Sequence, residues 1–348
     1  MKVGVIVNPH AKKNRGRRDR AAELRSIFGD FAEVVSTVSV EDVGFHLERF
    51  HRSGVRYIVA DGGDGTLHCV LNQAIERLGV DAATRDFVYM PSVNGTINYM
   101  AKAAGLSTDG LGNLRRLRAL LHRGLEPSVV HLPTLRNTGF QEEASGRRVP
   151  WGCHSWSNAV GGFAARFHKR WYESHKGEGA LRIVALFSEG LAGAALYTTL
   201  RGPLQRLRPS WVNEVADLYI PQMRGEVRVD GEPFRTPAGE SLDEFSFVNA
   251  GAVPVDLAGV FKVFQQADAE AMHVHVGRMD ARELPLAAVR GFRNRPFGTR
   301  RLYDGPAQTL EVICAPGTTL EPSLDGEIYV DLVEVKVERG PLVAFVKL

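Results

Sequence analysis

Of the 348 residues, 44% are hydrophobic and 24% charged, the balance of a folded globular chain rather than a fibrous or disordered one. A net charge of +3 is too small to mark a nucleic-acid binder. The three cysteines, Cys69, Cys153 and Cys314, are too far apart for zinc or redox spacing or a disulfide framework, which points to a reducing cytoplasm.

At ~100–200 residues per domain the length suggests two domains. Val3–Val7 reads as a buried strand, Arg18–Phe28 as a helix and Val34–Val38 as a strand. Val43–Phe50 is helical in pattern, and Tyr57–Ala60 is a short apolar strand. Over Leu67–Leu78, apolar residues at 67, 70, 71, 74, 75 and 78 form one helical stripe. Phe87–Met90 is a further strand, followed by helices near Ile97–Ala104 and Leu111–His122. This alternation predicts an α/β domain, a doubly wound parallel sheet covered by helices, over residues 1–126.

Beyond Gly124–Pro127 the texture changes to short β-type runs. They are Val129–Leu132, Ala216–Ile220, Val227–Val229, Phe245–Val248, His273–Val276, Leu310–Cys314, Ile328–Val337 and Leu342–Val346, with turns such as Asp230-Gly231 between them. The expectation is an antiparallel β-sandwich domain over 127–340, with a last strand near 341–348 returning to the first domain. Residues 136–148 are polar and read as a surface loop. Only Ala180–Leu200 looks strongly helical there, and Arg182 and Glu189 interrupt it. A spanning helix needs ~20 predominantly apolar residues, so no transmembrane segment is expected.

The strongest chemical signal is Gly62-Gly63-Asp64-Gly65-Thr66, between a strand and an amphipathic helix. Glycines there permit positive φ and close backbone approach, and a helix N-terminus attracts phosphate. A plain tight turn competes with that reading. The loop spells neither the P-loop nor the dinucleotide-binding glycine pattern. Asn94-Gly95-Thr96-Ile97-Asn98 repeats the arrangement after the next strand, and Thr96 or Asn98 either caps a helix or binds ligand. Asn8-Pro9 ends the first strand, and Lys12, Lys13 and Arg15 follow as a phosphate-binding loop or a solvated basic turn. Leu324-Asp325-Gly326-Glu327 reads equally as a β-turn or as acids for a hydroxyl proton or Mg²⁺. His273 and His275 share one strand face, the default for which is lining rather than metal. Arg290, Arg293, Arg295, Arg300 and Arg301 form a basic stretch that suits anionic headgroups or plain solvent.

Taken in order, Asn8-Pro9, the 62–66 loop and Gly95-Thr96-x-Asn98 resemble the diacylglycerol kinase catalytic-domain family, which includes sphingosine and ceramide kinases. Asn158–Ala165, Lys176–Gly179 and Asp325–Glu327 are similar to later stretches of that family. The resemblance implies a nucleotide-binding domain followed by a β-sandwich, with ATP in the cleft between them. It implies that Asn8, Gly62, Gly63, Gly65, Thr66, Gly95, Thr96 and Asn98 surround the nucleotide, and Lys12, Lys13 and Asn94, from the basic loop and the second glycine loop, are the further nucleotide-binding candidates. Asp64, Asp325 and Glu327 are the candidate catalytic carboxylates, with Mg²⁺ entering as ATP-Mg²⁺ through Asp325 or Glu327 and no dedicated metal site. The expected acceptor is the primary hydroxyl of a lipid, diacylglycerol or a ceramide or sphingoid type, met at the membrane surface from the cytoplasmic side. No nucleic-acid partner is expected, and a homodimer is compatible with the reading. Three departures from the family pattern stand out: Tyr99 after Asn98, His131 past the domain junction, and Ala269–His273 in place of an acidic stretch. They leave two rivals, a soluble-substrate kinase of the NAD-kinase type and a catalytically weak nucleotide-binding regulator.

Overall fold

The computed structural model describes residues 2–11, 13–14, 19–173, 185, 188–190, 192–193, 196–197, 199–200, 202–219, 223–257, 261–268, 270–280, 283–293, 295–296 and 298–348. The chain divides into two compact units. Unit 1 comprises Met1–Thr134 and Gly340–Leu348, and unit 2 comprises Leu135–Arg339.

Unit 1 runs β1 (Val3–Val7), α1 (Arg20–Phe28), β2 (Ala32–Ser36), α2 (Val40–Arg52), β3 (Tyr57–Asp61), α3 (Asp64–Leu78), α4 (Val80–Arg85), β4 (Val88–Pro91), α5 (Tyr99–Ala103) and α6 (Gly110–His122). The strands pair in the order β2-β1-β3-β4, all parallel, and Phe345 near the C-terminus adds in parallel beside Tyr89 of β4. β1 and β3 are buried along their whole length, as a sheet covered on both faces requires. Strand order reverses between β1 and β3, and open α/β sheets bind ligands at the carboxyl ends of strands beside such a switch point.

Local chemistry sets the helix starts. Asp19, Ser39 and Asp109 cap α1, α2 and α6 by accepting from Ala22, Asp42 and Gly112 N–H. α3 is different, because its N-cap is Gly63, which has no side chain to offer. Phe87 meets Tyr89 edge to face and Tyr89 meets Phe345 at a tilt, and the buried Tyr89 hydroxyl donates to Ala83 O at 2.8 Å.

Unit 2 is built from antiparallel strands and helices. β5 (Ser128–Glu142), which begins in unit 1, leads to β6 (Arg148–Ser155), β7 (Ser157–Gly162), α7 (Phe163–Glu173), α8 (Ser210–Tyr219), β8 (Met223–Val229), β9 (Glu232–Pro233) and β10 (Glu244–Phe245). β11 (Phe247–Gly251), β12 (Val255–Leu257), β13 (Phe261–Val263), β14 (Met272–Gly277) and α9 (Leu284–Phe292) follow. β15 (Leu302–Ala307), β16 (Thr309–Cys314), β17 (Ser323–Leu324), β18 (Glu327–Ile328) and β19 (Leu332–Lys347) complete the chain. One sheet has the order β15-β14-β11-β7-β17-β18. In the other, β16 lies between β8 and β19, and β5 between β19 and β6. Val160, Val248 and Val274 of the first sheet share a core with Val227, Val312 and Val335 of the second, which makes the sandwich.

Three expectations are corrected. The supposed loop at 136–148 is mostly a hairpin, with β5 and β6 in register from Leu135↔Ser155 to Glu142↔Arg148. Its polar sequence fits because backbone pairing holds an arm that is mostly exposed or part-buried beyond Asn137 and Gly152. Ala216–Ile220, read as a strand, belongs through Tyr219 to α8, where Val212 and Val215 supply the buried helical face. A short apolar run cannot decide between strand and helix without the residues upstream. α7 and α9 were not anticipated either. The expected helix over 180–200 and the Lys176–Gly179 stretch fall mostly outside the described residues. Among the described residues no helix is long and apolar enough to cross a membrane.

Candidate functional site

Asp61 ends β3 with no solvent exposure and ties unit 1's loops together. Arg20 grips its carboxylate with two hydrogen bonds, 2.9 Å from Nε and 2.8 Å from a terminal guanidinium nitrogen. Asn94 donates to Asp61 at 2.7 Å and Asn14 at 3.1 Å. One carboxylate therefore joins the segment after β1, the start of α1 and the loop after β4. A buried ion pair of this kind owes its stability to bidentate geometry and the added amide donors.

Around this hub the two glycine loops touch. A Cβ built on Gly63 would lie 2.8 Å from Gly95 Cα, and one on Gly95 would lie 2.6 Å from Gly63 Cα. A Cβ on Gly62 would strike the Thr66 side chain. Gly63 has φ −101°, and Gly62, Gly65 and Gly95 are likewise outside the positive-φ region. The glycines are needed for close approach, not for left-handed backbone. Asn8 Nδ2 donates to Thr66 Oγ1 at 2.9 Å, which fixes the first strand's end to the first turn of α3. Lys13 Nζ donates to Val93 O at 2.7 Å, against the second loop. Lys12, Arg15, Arg17 and Arg18 lie outside the described residues.

Asn98 takes the left-handed conformation at φ 53°, and its side-chain oxygen accepts from Gly95 N–H at 2.8 Å. Thr96 is exposed at the loop's tip. The Asp64 carboxylate accepts from Tyr99 N–H at 3.3 Å and Met100 N–H at 3.1 Å. It thus caps α5, a helix from the other loop. Tyr99 is 5% exposed, so the departure at this position places a ring in the core. The result is a cradle at the carboxyl ends of β1, β3 and β4. The first-turn N–H groups of α3 have no intrahelical acceptor and no side-chain cap from Gly63, the arrangement that anions occupy.

Unit 2 holds the other two candidate acids. Asp325 and Gly326 form the two-residue turn between β17 and β18, both at positive φ, 52° and 95°. Asp325 is buried, and its carboxylate accepts from Trp156 N–H at 2.9 Å and Ser157 N–H at 2.8 Å. Glu327 is exposed. Beneath the turn, Asn137, Ser155 and Asn158 close a buried ring of hydrogen bonds. The Asn158–Ala165 stretch thus has a structural account: Asn158 joins the ring, and Gly162, at φ 77°, turns β7 into α7.

His273 and His275 do share a face of β14, and Asp304 of β15 meets them, 2.6 Å and 3.4 Å away. Among the described residues this is the one group with metal-binding composition. Its hydrogen bonding favours a proton instead. His273 Nδ1 accepts from Gln266 N–H at 3.2 Å, so Nε2 carries the hydrogen and points it at Asp304. A ligating histidine normally donates from its second nitrogen. Burial lowers the His275 pKa despite Asp304 beside it, whereas the two histidines hold Asp304 well below the carboxylate range against its burial.

Sequence reasoning missed Asp61, Asn14 and Arg20. The available signal was an acid at the last position of a strand, directly before the glycines.

Comparison with known proteins adds a family match to part of the chain. Residues 2–126 match the diacylglycerol kinase catalytic domain. No curated protein matches the chain. Solved structures of Bacillus anthracis str. Sterne proteins classed as diacylglycerol kinases share the fold. One aligns at 14% identity and TM-score 0.58, over 100% of this chain and 95% of its own. Another aligns at 13% identity and TM-score 0.56, over 100% and 97%. The glycine cradle falls inside the segment, residues 2–126, that is similar to the diacylglycerol kinase catalytic domain.

Proposed function

We propose that the chain is a kinase that takes the γ-phosphate of ATP to the primary hydroxyl of a membrane lipid, of the diacylglycerol or the ceramide and sphingoid type. The observation that carries it is the Gly63–Gly95 contact at the uncapped start of α3, inside the segment that matches the diacylglycerol kinase catalytic domain.

The residues present suit a nucleoside triphosphate. A side chain at Gly63 or Gly95 would push the two loops apart and one at Gly62 would strike Thr66, and the polar residues of these loops, Asn8, Thr66, Asn94 and Asn98, are uncharged. ATP with Mg²⁺ would supply the transferable phosphoryl group and neutralise its charge. The backbone of Gly62–Thr66 binds phosphate oxygens, Lys13 adds positive charge, and Thr96 lies at the second loop's open edge. Asp61 and Asp64 shape the cradle, because Arg20 and the start of α5 already engage their carboxylates. Mg²⁺ would therefore be held mainly by the phosphates. In unit 2 we assign the acceptor's hydroxyl proton to Glu327, the exposed acid. Asp325 is a positioning residue whose carboxylate holds the turn.

The test is transfer of labelled phosphate from ATP-Mg²⁺ to detergent-dispersed diacylglycerol, ceramide, sphingosine and NAD. Label in one lipid, lost in Gly95→Ala and cut at least tenfold in kcat by Glu327→Gln, is the expected result. Label in NAD alone would replace this reading with a soluble-substrate kinase. ATP binding without transfer would replace it with a regulator.

A further inference from the structure

Unit 2 carries a surface that this chemistry does not use. α9 packs inward through Ala287 and Gly291, one turn apart and both buried. Ala287 joins a core with Phe163, Val215, Phe247, Met279 and Leu302. The outward stripe is Leu286, Val289, Arg290 and Arg293, at i, i+3, i+4 and i+7. Leu286 is 57% exposed and Val289 46%, so two branched aliphatic side chains stand in water on the face that a surface helix usually makes polar.

Positive charge surrounds them. Residues 283–301 contain five arginines and one acidic residue, and Arg293, Arg295 and Arg300 are exposed. The acid, Glu283, accepts from Asp280 N–H at the start of the helix. Arg301 is paired with Glu240 at 3.0 Å. Arg290 donates to Gly298 O at 3.2 Å, which folds the segment after α9 back onto it. Between them lies an open cavity of about 710 Å³ whose lining includes Leu286, Arg290, Thr299 and Arg300.

Aliphatic side chains flanked by arginines on one helix face match the layers of an anionic bilayer, where acyl chains begin just beneath the phosphates. We propose that α9 and the segment up to Arg301 dock on an anionic phospholipid bilayer. Leu286 and Val289 enter the boundary between headgroups and chains, and Arg290, Arg293, Arg295 and Arg300 contact phosphates. The proposal rests on the lipid-acceptor reading for its purpose, but membrane binding tests it separately.

The experiment is sedimentation of the full chain with vesicles of phosphatidylcholine, with and without one-third phosphatidylglycerol. Binding at least tenfold tighter to the anionic vesicles, weakened by salt, is expected. Each arginine near such a surface is worth about 1 kcal/mol, roughly fivefold. Arg293→Ser, Arg295→Ser and Arg300→Ser combined should therefore weaken binding about a hundredfold. Leu286→Ser with Val289→Ser should weaken it several-fold. Because these side chains are exposed, thermal unfolding should be unchanged. No preference for anionic vesicles, or unchanged binding in both sets of variants, overturns the proposal. So does binding that is lost only on replacing Leu204 and Leu207, which are also exposed. Transfer to detergent-dispersed lipid needs no bilayer and should survive in these variants. If transfer fails in every variant and in the parent while vesicle binding follows this pattern, the kinase reading falls and the docking surface stands.

Discussion

Asp61 in unit 1 and Asp325 in unit 2 are both buried carboxylates near strand ends, and both are ringed by donors. Their donors differ. Asp61 is held by the side chains of Arg20, Asn14 and Asn94, which come from three separate segments. Asp325 is held by the backbone N–H groups of one corner, Trp156 and Ser157. A carboxylate that gathers side chains pulls loops together while their main chain still faces outward. One that takes up main-chain donors fixes a single turn and its neighbours. The first arrangement builds a cradle for a ligand. The second holds the Asp325–Gly326 turn that leads into Glu327.

Removing the hub should do the most damage. Asp61→Ala would leave Arg20 buried without its bidentate partner, a loss of about 3–5 kcal/mol. Urea unfolding should show it, and ATP binding should vanish at temperatures where the remaining fold persists. A loss below ~1 kcal/mol would mean that Asp61 does not organise the loops. The next largest effect is expected at Gly95→Ala. The added methyl meets the main chain of Gly63, which has no side chain to move aside, and overpacking of this kind costs about 1–3 kcal/mol. Calorimetry should find ATP affinity down at least tenfold. Equal affinity would show that the loops part without consequence.

How much of this was legible follows the same division. The 62–66 loop, Asn8 and the 94–98 loop are contiguous signals at strand ends, and alternation of element types placed them on a parallel sheet. The hub was not legible, because Arg20 and Asn14 lie 41 and 47 positions from Asp61. Nothing local in a basic turn marks which residue will face inward. Of the two reasons offered for the glycines, positive φ is absent, and the close approach is of Gly63 to Gly95, a contact between loops that neither loop's sequence announces. In unit 2 the Asp-Gly turn was plain. Its latch was not, since the corner that Asp325 holds is 169 residues away at Trp156. Val212 and Val215 defeated the strand reading at 216–220 because the helix period starts before the apolar run does.

The latch can be separated from the turn's conformation. At φ 52°, Asp325 sits where glycine is at ease and alanine is strained. Asp325→Gly and Asp325→Ala both lose the bonds to Trp156 and Ser157, each variant costing about 1–3 kcal/mol. Alanine should cost ~1 kcal/mol more than glycine. If the two unfold alike, the turn is not held left-handed in solution. If neither differs from the parent, the latch does not stabilise unit 2.

The smallest expected effect concerns the helix behind that hairpin. His168 of α7 places Nδ1 2.8 Å from Ser323 Oγ of β17, the strand that leads into Asp325. Burial lowers the His168 imidazole to about 4, so it is neutral in the folded protein at pH 7. The unfolded chain takes up the proton near the ordinary value of about 6.5. Its contribution to stability is therefore complete above that value and is lost as pH falls from 6.5 towards 4. His275, also lowered by burial, adds loss of the same sign on the sheet's other strands. His168→Gln keeps a polar partner for Ser323 without the titration. Its melting temperature should fall less between pH 7.5 and 5 than the parent's, by a few degrees. Parallel pH profiles would show that His168 is protonated at no cost, and the hairpin carrying Asp325 and Glu327 would then owe its position to the main-chain latch alone.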